Sequence, residues 1–416
     1  MAFLCGLAMI FIRMSVTPEL LAYFTHTNTY VLYLVGPPAI LGVLISGGLG
    51  RALRTIPTLC FLGIFLYLLP ATLMSTWQGG SFQVLSIYGR TSLPCLFVLS
   101  CTVVSWKEIS KVFKTMAVSG FVVLFVTKFL ATPDAEGRLT FDVTDSTIGN
   151  PNDLAAHLLL LLPFVMYYGF RPGGGKVAKV VVSLLGAFGI YSILGTSSRG
   201  ALIGLGVMAL LLFAHASGFQ RLLVAVIAPV MAVSLVMVLP AQNLARLATL
   251  FHPDDTTASD IAGEAAESRE SRQYLLRKSI EYTLEHPVLG VGPGQFSIYE
   301  GLMSKAAGEH GTWHETHNTY TQISSECGLP ALIMLLVGTF GALGTVGRTR
   351  KRALARGNRE IAAACSCFMV SWLGYLVTIF FLACAYRFTL PAMTGMAIAI
   401  SFAAEREFNI TAPLPA

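Results

Sequence analysis

Runs of about twenty mainly apolar residues, each long enough to cross a bilayer as a helix, recur along nearly the whole chain. They fall at 2–22, 29–47, 57–76, 88–105, 112–131, 153–170, 178–195, 200–216, 221–240, 329–346, 361–385 and 389–404. Arg13 interrupts the first, Arg90 stands at the entry of the fourth, and His157 lies inside the sixth. The pattern predicts an all-α, polytopic membrane helix bundle of about twelve transmembrane helices. One stretch breaks the rhythm: residues 241–328 are mostly polar, far longer than an ordinary connection between helices.

That stretch is uneven. Residues 252–268 are rich in Asp, Thr, Ala and Glu and read as a mobile segment. From Ser268 to Glu285, Tyr274, Leu275, Ile280 and Leu284 recur at helical spacing among Arg269, Arg272, Arg277 and Lys278. His286-Pro287 ends this helix, since the residue before proline avoids helical angles. An amphipathic helix lying against the membrane surface or the bundle mouth is expected. The run Gly290-Val291-Gly292-Pro293-Gly294 follows a helix rather than a strand, so it is not a dinucleotide fingerprint. It predicts a tight turn where backbone approaches something closely.

Composition agrees with the hydropathy. Of the 416 residues, 54% are hydrophobic and 12% charged, against about 25% charged in soluble proteins. The net charge of +6 is no nucleic-acid signal, because the basic residues sit at span ends. Arg51, Arg54, Lys107, Lys111, Lys114, Arg171, Lys176, Lys179, Arg221 and the cluster from Arg348 to Arg359 all fall in alternate loops. The positive-inside bias then places both termini in the cytoplasm and turns 241–328, the loop 132–152 and the turn at Arg199 outward. Three parts follow: transmembrane helices one to nine over 1–240, a large periplasmic loop with amphipathic helices over 241–328, and helices ten to twelve with a cytoplasmic C-terminus over 329–416. Seven of the eight cysteines lie in or near apolar spans, with no CxxC pair or disulfide framework.

Several residues could carry chemistry. Arg199 stands in Thr196-Ser197-Ser198-Arg199-Gly200, between the seventh and eighth spans. A guanidinium fork suits phosphate oxygens, although an arginine at a helix end also snorkels to the interface. Arg269 and Arg272 are open to the same two readings. His314 and His317 are three apart, so on a helix they share a face. A metal site with His310 or Glu315, a general base, and a structural role beside Asn318 at a helix start all remain open. Asp142 and Asp145 could form a carboxylate pair, supported only by proximity.

Taken together, these pieces resemble the O-antigen ligase family, whose superfamily includes the O-antigen polymerases. The resemblance rests on Gly149-Asn150-Pro151-Asn152-Asp153, on Ser198-Arg199-Gly200, and on Arg272 followed by His286-Pro287-Val288-Leu289-Gly290-Val291-Gly292. It extends to His317-Asn318-Thr319-Tyr320 followed by Glu326-Cys327-Gly328-Leu329. It covers roughly 140–345. Leu276 stands where the family usually has tryptophan, which blurs the helix register and leaves Arg269 a rival to Arg272.

The resemblance implies an inverting, metal-independent glycosyl transfer with no cofactor, on the periplasmic side of a bacterial inner membrane. The donor would be a glycan on undecaprenyl diphosphate, and the acceptor a sugar hydroxyl of lipid A–core oligosaccharide. His317 would be the base, with Arg199 and Arg272 on the diphosphate. Arg90, Arg269, His314, Asn318 and Tyr320 would contact substrate. A polymerase of the same superfamily, and a lipid-linked-sugar transporter or flippase from a different class, are the alternatives.

Overall fold

The computed structural model describes residues 2–27, 29–141, 147–215 and 260–410, the last with backbone alone over 260–268, and five single positions (218, 221, 237, 243 and 244). Its helices in chain order are α1 (Ala2–Met14), α2 (Thr17–Thr25), α3 (Leu32–Ile45), α4 (Leu49–Ala52), α5 (Ile56–Leu73) and α6 (Gln78–Ile87). A π-turn (Tyr88–Ser92) joins α6 to α7 (Leu93–Thr102). Then come α8 (Trp106–Phe129), a two-stranded hairpin of β1 (Thr132–Pro133) and β2 (Leu139–Thr140), α9 (Pro151–Phe170), α10 (Lys176–Gly195) and α11 (Arg199–His215). After the intervening stretch follow α12 (Asp260–Glu285), α13 (Phe296–Ala306), α14 (Thr319–Ala355), α15 (Arg359–Thr378), a 3₁₀ turn (Ile379–Phe381) and α16 (Thr389–Ile410).

The chain is a multi-spanning membrane helix bundle, but not one of about twelve spans. Among the described residues, seven helices are long and apolar enough to cross, or eight if the bent pair α1 and α2 counts as one. The expected spans fail for separate physical reasons. The first is broken by a 63° bend at Val16, a β-branched residue in left-handed conformation (φ 51°). At 14 residues, α3 is too short, and Pro37 and Pro38 interrupt its hydrogen bonding. Helix α11 is also short. The span expected at 221–240 lies outside the described residues apart from Arg221 and Met237, as do Asp142 and Asp145. The segment Thr389–Ala404 does form a helix, α16, but Glu405, Arg406 and Glu407 end its apolar stretch short of a full span, and every residue from Phe388 to Ser401 is buried within the protein. Its Ala, Gly, Ser and Thr residues allow close helix packing; a side chain at Gly395 would overlap the Leu96 backbone.

At the centre, α9 lies between α8, α10 and α15, while α14 packs on α5, α12, α15 and α16. The start of α9 explains one motif. Asn150 is its N-cap, accepting from the Asp153 N–H at 2.9 Å, and Pro151 occupies the first turn, where no N–H is needed. Asp153, almost fully buried, receives a two-pronged hydrogen bond from Arg387 at 2.8 and 2.9 Å.

The glycine run of the long loop docks on a kink in α14. Gly328 has φ 79° and ψ 175°, which breaks the helix and frees carbonyls ahead of it. Those of Ser325 and Glu326 accept from the N–H groups of Val291 and Gly292, each at 2.9 Å. Gly290, Gly292 and Gly294 all have positive φ, and a Cβ at Gly290 would overlap the Glu326 backbone. The Glu326 carboxylate completes the joint, accepting from Gly294 N–H at 2.9 Å and Phe296 N–H at 3.4 Å. The close approach expected of this run is therefore to α14.

Candidate functional site

Six segments surround a cavity of about 280 Å³ at one end of the bundle. Arg138, Arg199, Arg269 and Arg272 line it, with no carboxylate among the described lining residues. Four guanidinium groups converge on one concave space, one of them, Arg138, also 3.8 Å from the Glu136 carboxylate; such a cluster of planar donors suits an anion. Ile203, Leu276, Phe380 and Phe381 form its apolar part.

Helix α12 contributes through its periodicity. Arg269, Arg272, Gln273 and Leu276 are spaced i, i+3, i+4, i+7 and all line the cavity. The reverse face buries Leu275, Ser279, Tyr282 and Thr283. Leu275 and Tyr282 form a small core with Val291 and Phe296, and Thr283 shares a 2.8 Å hydrogen bond with Ser324 of α14. Both candidate arginines thus line one cavity. The helix also begins at Asp260, eight residues before the expected start; the residues assigned to a mobile segment are helical from that point.

The turn before α11 is held from three sides. Arg138 donates from Nε to the Thr196 carbonyl at 3.1 Å and from Nη2 to the Asn152 side-chain oxygen at 3.0 Å. Asn243 donates to the Gly195 carbonyl at 3.0 Å. Ser198 accepts weakly from the Ala201 N–H at 3.4 Å, at the start of α11. Ser197 is left-handed, with φ 51°.

His317 repeats that conformation, with φ 50°. A non-glycine residue held so costs about 1–3 kcal/mol and tends to mark functional sites. Its neighbours fix it. The Thr316 hydroxyl donates to the Asn318 carbonyl at 3.1 Å, and Asn318 caps α14, accepting from Tyr320 and Thr321 N–H at 2.9 and 3.1 Å. His314 and His317 therefore share no helical face, since the residues from His310 to His317 are not helical. Burial, then the positive charge of Arg272 and the nearby His314, push the His317 acid constant down to about 4. At neutral pH its ring is uncharged and can accept a proton.

Among the residues picked from sequence, Arg199, Arg269, Arg272, His317 and Asn318 line the cavity, while Arg90, His314 and Tyr320 do not. Arg90 belongs to the π-turn inside the continuous 78–102 helical run, not to a span end. His314 is exposed. Tyr320 braces the wall, donating to the Leu376 carbonyl at 2.9 Å with its ring 6.1 Å from that of Phe380. Arg138 was missed. Its signal was present: it is the only basic residue in the otherwise acidic loop 132–152. Phe380 and Phe381 had none, being part of an apolar run. Among the described residues no three His, Cys, Asp or Glu side chains are grouped to hold a metal ion.

The family model described as O-antigen ligase matches residues 183–336. A domain of that family is thus found over this part of the chain. It includes the turn at Ser197–Arg199, the cavity face of α12 and His317, and leaves out Arg138 and Asn152. No curated protein matches the chain.

Proposed function

We propose that the protein is an O-antigen ligase, transferring a glycan from undecaprenyl diphosphate to a sugar hydroxyl of lipid A–core oligosaccharide. The cavity would face the periplasm of a bacterial inner membrane. The observation that carries this reading is the cavity itself, where four arginines and a neutral histidine meet around one space. A donor already activated as a diphosphate needs no nucleotide. Its transfer needs cations where leaving-group charge develops and a base for the incoming hydroxyl.

In this reading Arg199 and Arg272 bind the diphosphate, with Arg269 beside them. The acceptor oxygen attacks the anomeric carbon from the side opposite the diphosphate. The bond from that carbon to the phosphate oxygen breaks, undecaprenyl diphosphate leaves with the electron pair, and the configuration inverts. The hydroxyl proton goes to a ring nitrogen of His317. An acid constant near 4 makes a weak base, but Arg272 is among its causes, so a diphosphate on Arg272 offsets that repulsion and raises the basicity of His317. The base thus strengthens when donor binds. The charges are supplied by the chain's own arginines, and the transfer is metal-independent.

The test is transfer by purified protein from undecaprenyl-diphosphate glycan to lipid A–core, with EDTA and without nucleotide. Product on lipid A–core, lost in His317→Ala and Arg199→Ala, supports the assignment. Donor consumed only to lengthen lipid-linked glycan identifies a polymerase. Donor crossing reconstituted bilayers, with no transfer to any acceptor, overturns the enzyme reading.

A further inference from the structure

A second concavity lies on the outside of the bundle, between α1 and α8, with a volume of about 370 Å³. Leu7, Ala8 and Phe11 line it from α1; Lys111, Lys114, Thr115 and Val118 line it from α8. It sits at the end of the bundle away from the arginine-lined cavity. Helix α9 starts at the cavity through Asn152, and α8 runs toward that end from Trp106. At the other end of α1, His157 near the start of α9 bonds the Met14 carbonyl at 2.7 Å.

The exposed face of α8 changes character along its length. Lys107, Lys111 and Lys114, spaced i, i+4, i+7, come first. Val118, Phe121, Phe125 and Phe129 follow, each exposed. The lysines extend inward rather than stopping at the helix end: the capping box of Ser105 and Glu108 starts the helix at Trp106, which sets Lys114 roughly 12 Å along it at 1.5 Å per residue. A charge two turns into an exposed face of an apolar, span-length helix is costly without a counter-charge. Among the described residues neither Lys111 nor Lys114 forms an ion pair. Glu108, the nearest acid along the helix, is already engaged by the Val104 and Ser105 N–H groups at 2.7 and 2.9 Å. Lys111 lies 5.7 Å from the centre of the Phe3 ring, at the same end of α1.

We infer that this groove is a binding site for an anionic phospholipid of the surrounding bilayer. The headgroup phosphate sits between Lys111 and Lys114, and one acyl chain lies along Leu7, Ala8, Phe11 and Val118. The sequence of two ammonium groups, one hydroxyl and then an apolar floor matches the order phosphate, glycerol, acyl chain. Basic pockets between membrane helices recognise such headgroups. The site is independent of the transfer reaction proposed above.

The experiment is native mass spectrometry of the full-length protein in detergent. Phosphatidylglycerol, phosphatidylcholine of the same acyl chains, or inorganic phosphate is added in turn. Wild type is expected to retain phosphatidylglycerol in preference to the other two. Removing each charge weakens retention about fivefold, so Lys111→Gln with Lys114→Gln lowers it about thirtyfold. Val118→Trp, which fills the groove from an exposed position and keeps both charges, is expected to lower it as well. Equal retention of the two lipids overturns the site. So does phosphatidylglycerol retention unchanged in the double variant, the result expected of lysines that only snorkel. Retention unchanged in Val118→Trp would overturn the acyl-chain placement. Thermal unfolding of each variant within a few degrees of wild type shows that the bundle is intact.

Discussion

The long loop has two faces that handle charge in opposite ways. Toward the cavity, α12 and the turn before α11 bring arginines around open space, beside the neutral ring of His317. Toward the bundle, buried carboxylates are saturated with hydrogen bonds. Glu300 accepts from Tyr274, Ser304, Thr312 and the Trp313 N–H at 2.9–3.2 Å, and Glu326 closes the joint with α14. Buried carboxyl groups engaged by neighbouring donors hold the loop together, whereas guanidinium groups that also line a cavity can meet an anion there. The same histidine- and glutamate-containing motif spans both, so its conspicuous residues need not share a role.

The sharpest break of that comparison is at His317. His317→Ala is expected to lower transfer by about 10²–10⁴-fold with the thermal midpoint little changed. A large fall in that midpoint would move His317 to the scaffold side. Arg199→Ala and Arg272→Ala are expected to cost about 10²–10³-fold each in kcat, as for removal of a charge-stabilising donor. Arg→Lys at either position should restore only part, because the two-pronged geometry is lost.

On the scaffold side the order of effects reverses. Glu326→Ala leaves the buried Gly294 and Phe296 N–H groups without their acceptor, at about 1–3 kcal/mol for each unsatisfied group. Unfolding should shift first and activity follow only through the displaced loop; full stability with no activity would make Glu326 part of the chemistry. Gly290→Ala should act in the same direction, since a Cβ there overlaps the Glu326 backbone at φ 66°.

Two pH measurements separate the faces more finely. His317 is neutral above its depressed acid constant of about 4, so kcat/KM should be flat from neutral pH down to about 5 and fall below that. A fall centred near 6.5 would mean that the ring is not held among those arginines. For Glu300, burial pushes the acid constant up, but hydrogen bonds from Ser304, Thr312, Trp313 and Tyr274 outweigh it and hold it below the ordinary value. A carboxylate depressed on folding contributes stability above its unfolded value of about 4.3, lost as pH falls through the folded value. Protection against hydrogen exchange at Thr312 and Trp313, taken relative to the intrinsic rate at each pH, should therefore hold at pH 5 and fall only once the pH drops below the ordinary carboxylate value; a loss of protection already at pH 6 would contradict the assignment. This is the smallest effect, confined to the segment that Glu300 ties down.

The sequence by itself determined the all-α membrane character, the long polar interruption, the helix ending at His286-Pro287 and the close backbone approach of the glycine run. These follow from hydropathy, proline and glycine, which act locally. It overcounted spans, because an apolar run does not say whether its helix bends, as at Val16, or stops short, as α3 and α11 do. The candidate site divided on the same line. Arg199, Arg272 and His317 were readable as cation and base types in a suspicious loop. That they share one cavity with Arg269 and Arg138, and that Arg90, His314 and Tyr320 do not line it, depends on how α12, α14 and the hairpin pack. Such packing joins residues more than a hundred positions apart, a relation to which hydropathy and spacing are blind. Only the tertiary structure could also separate the two glutamates from the arginines, because it alone shows which side chains line the cavity and which are taken up by the loop's own N–H and O–H donors.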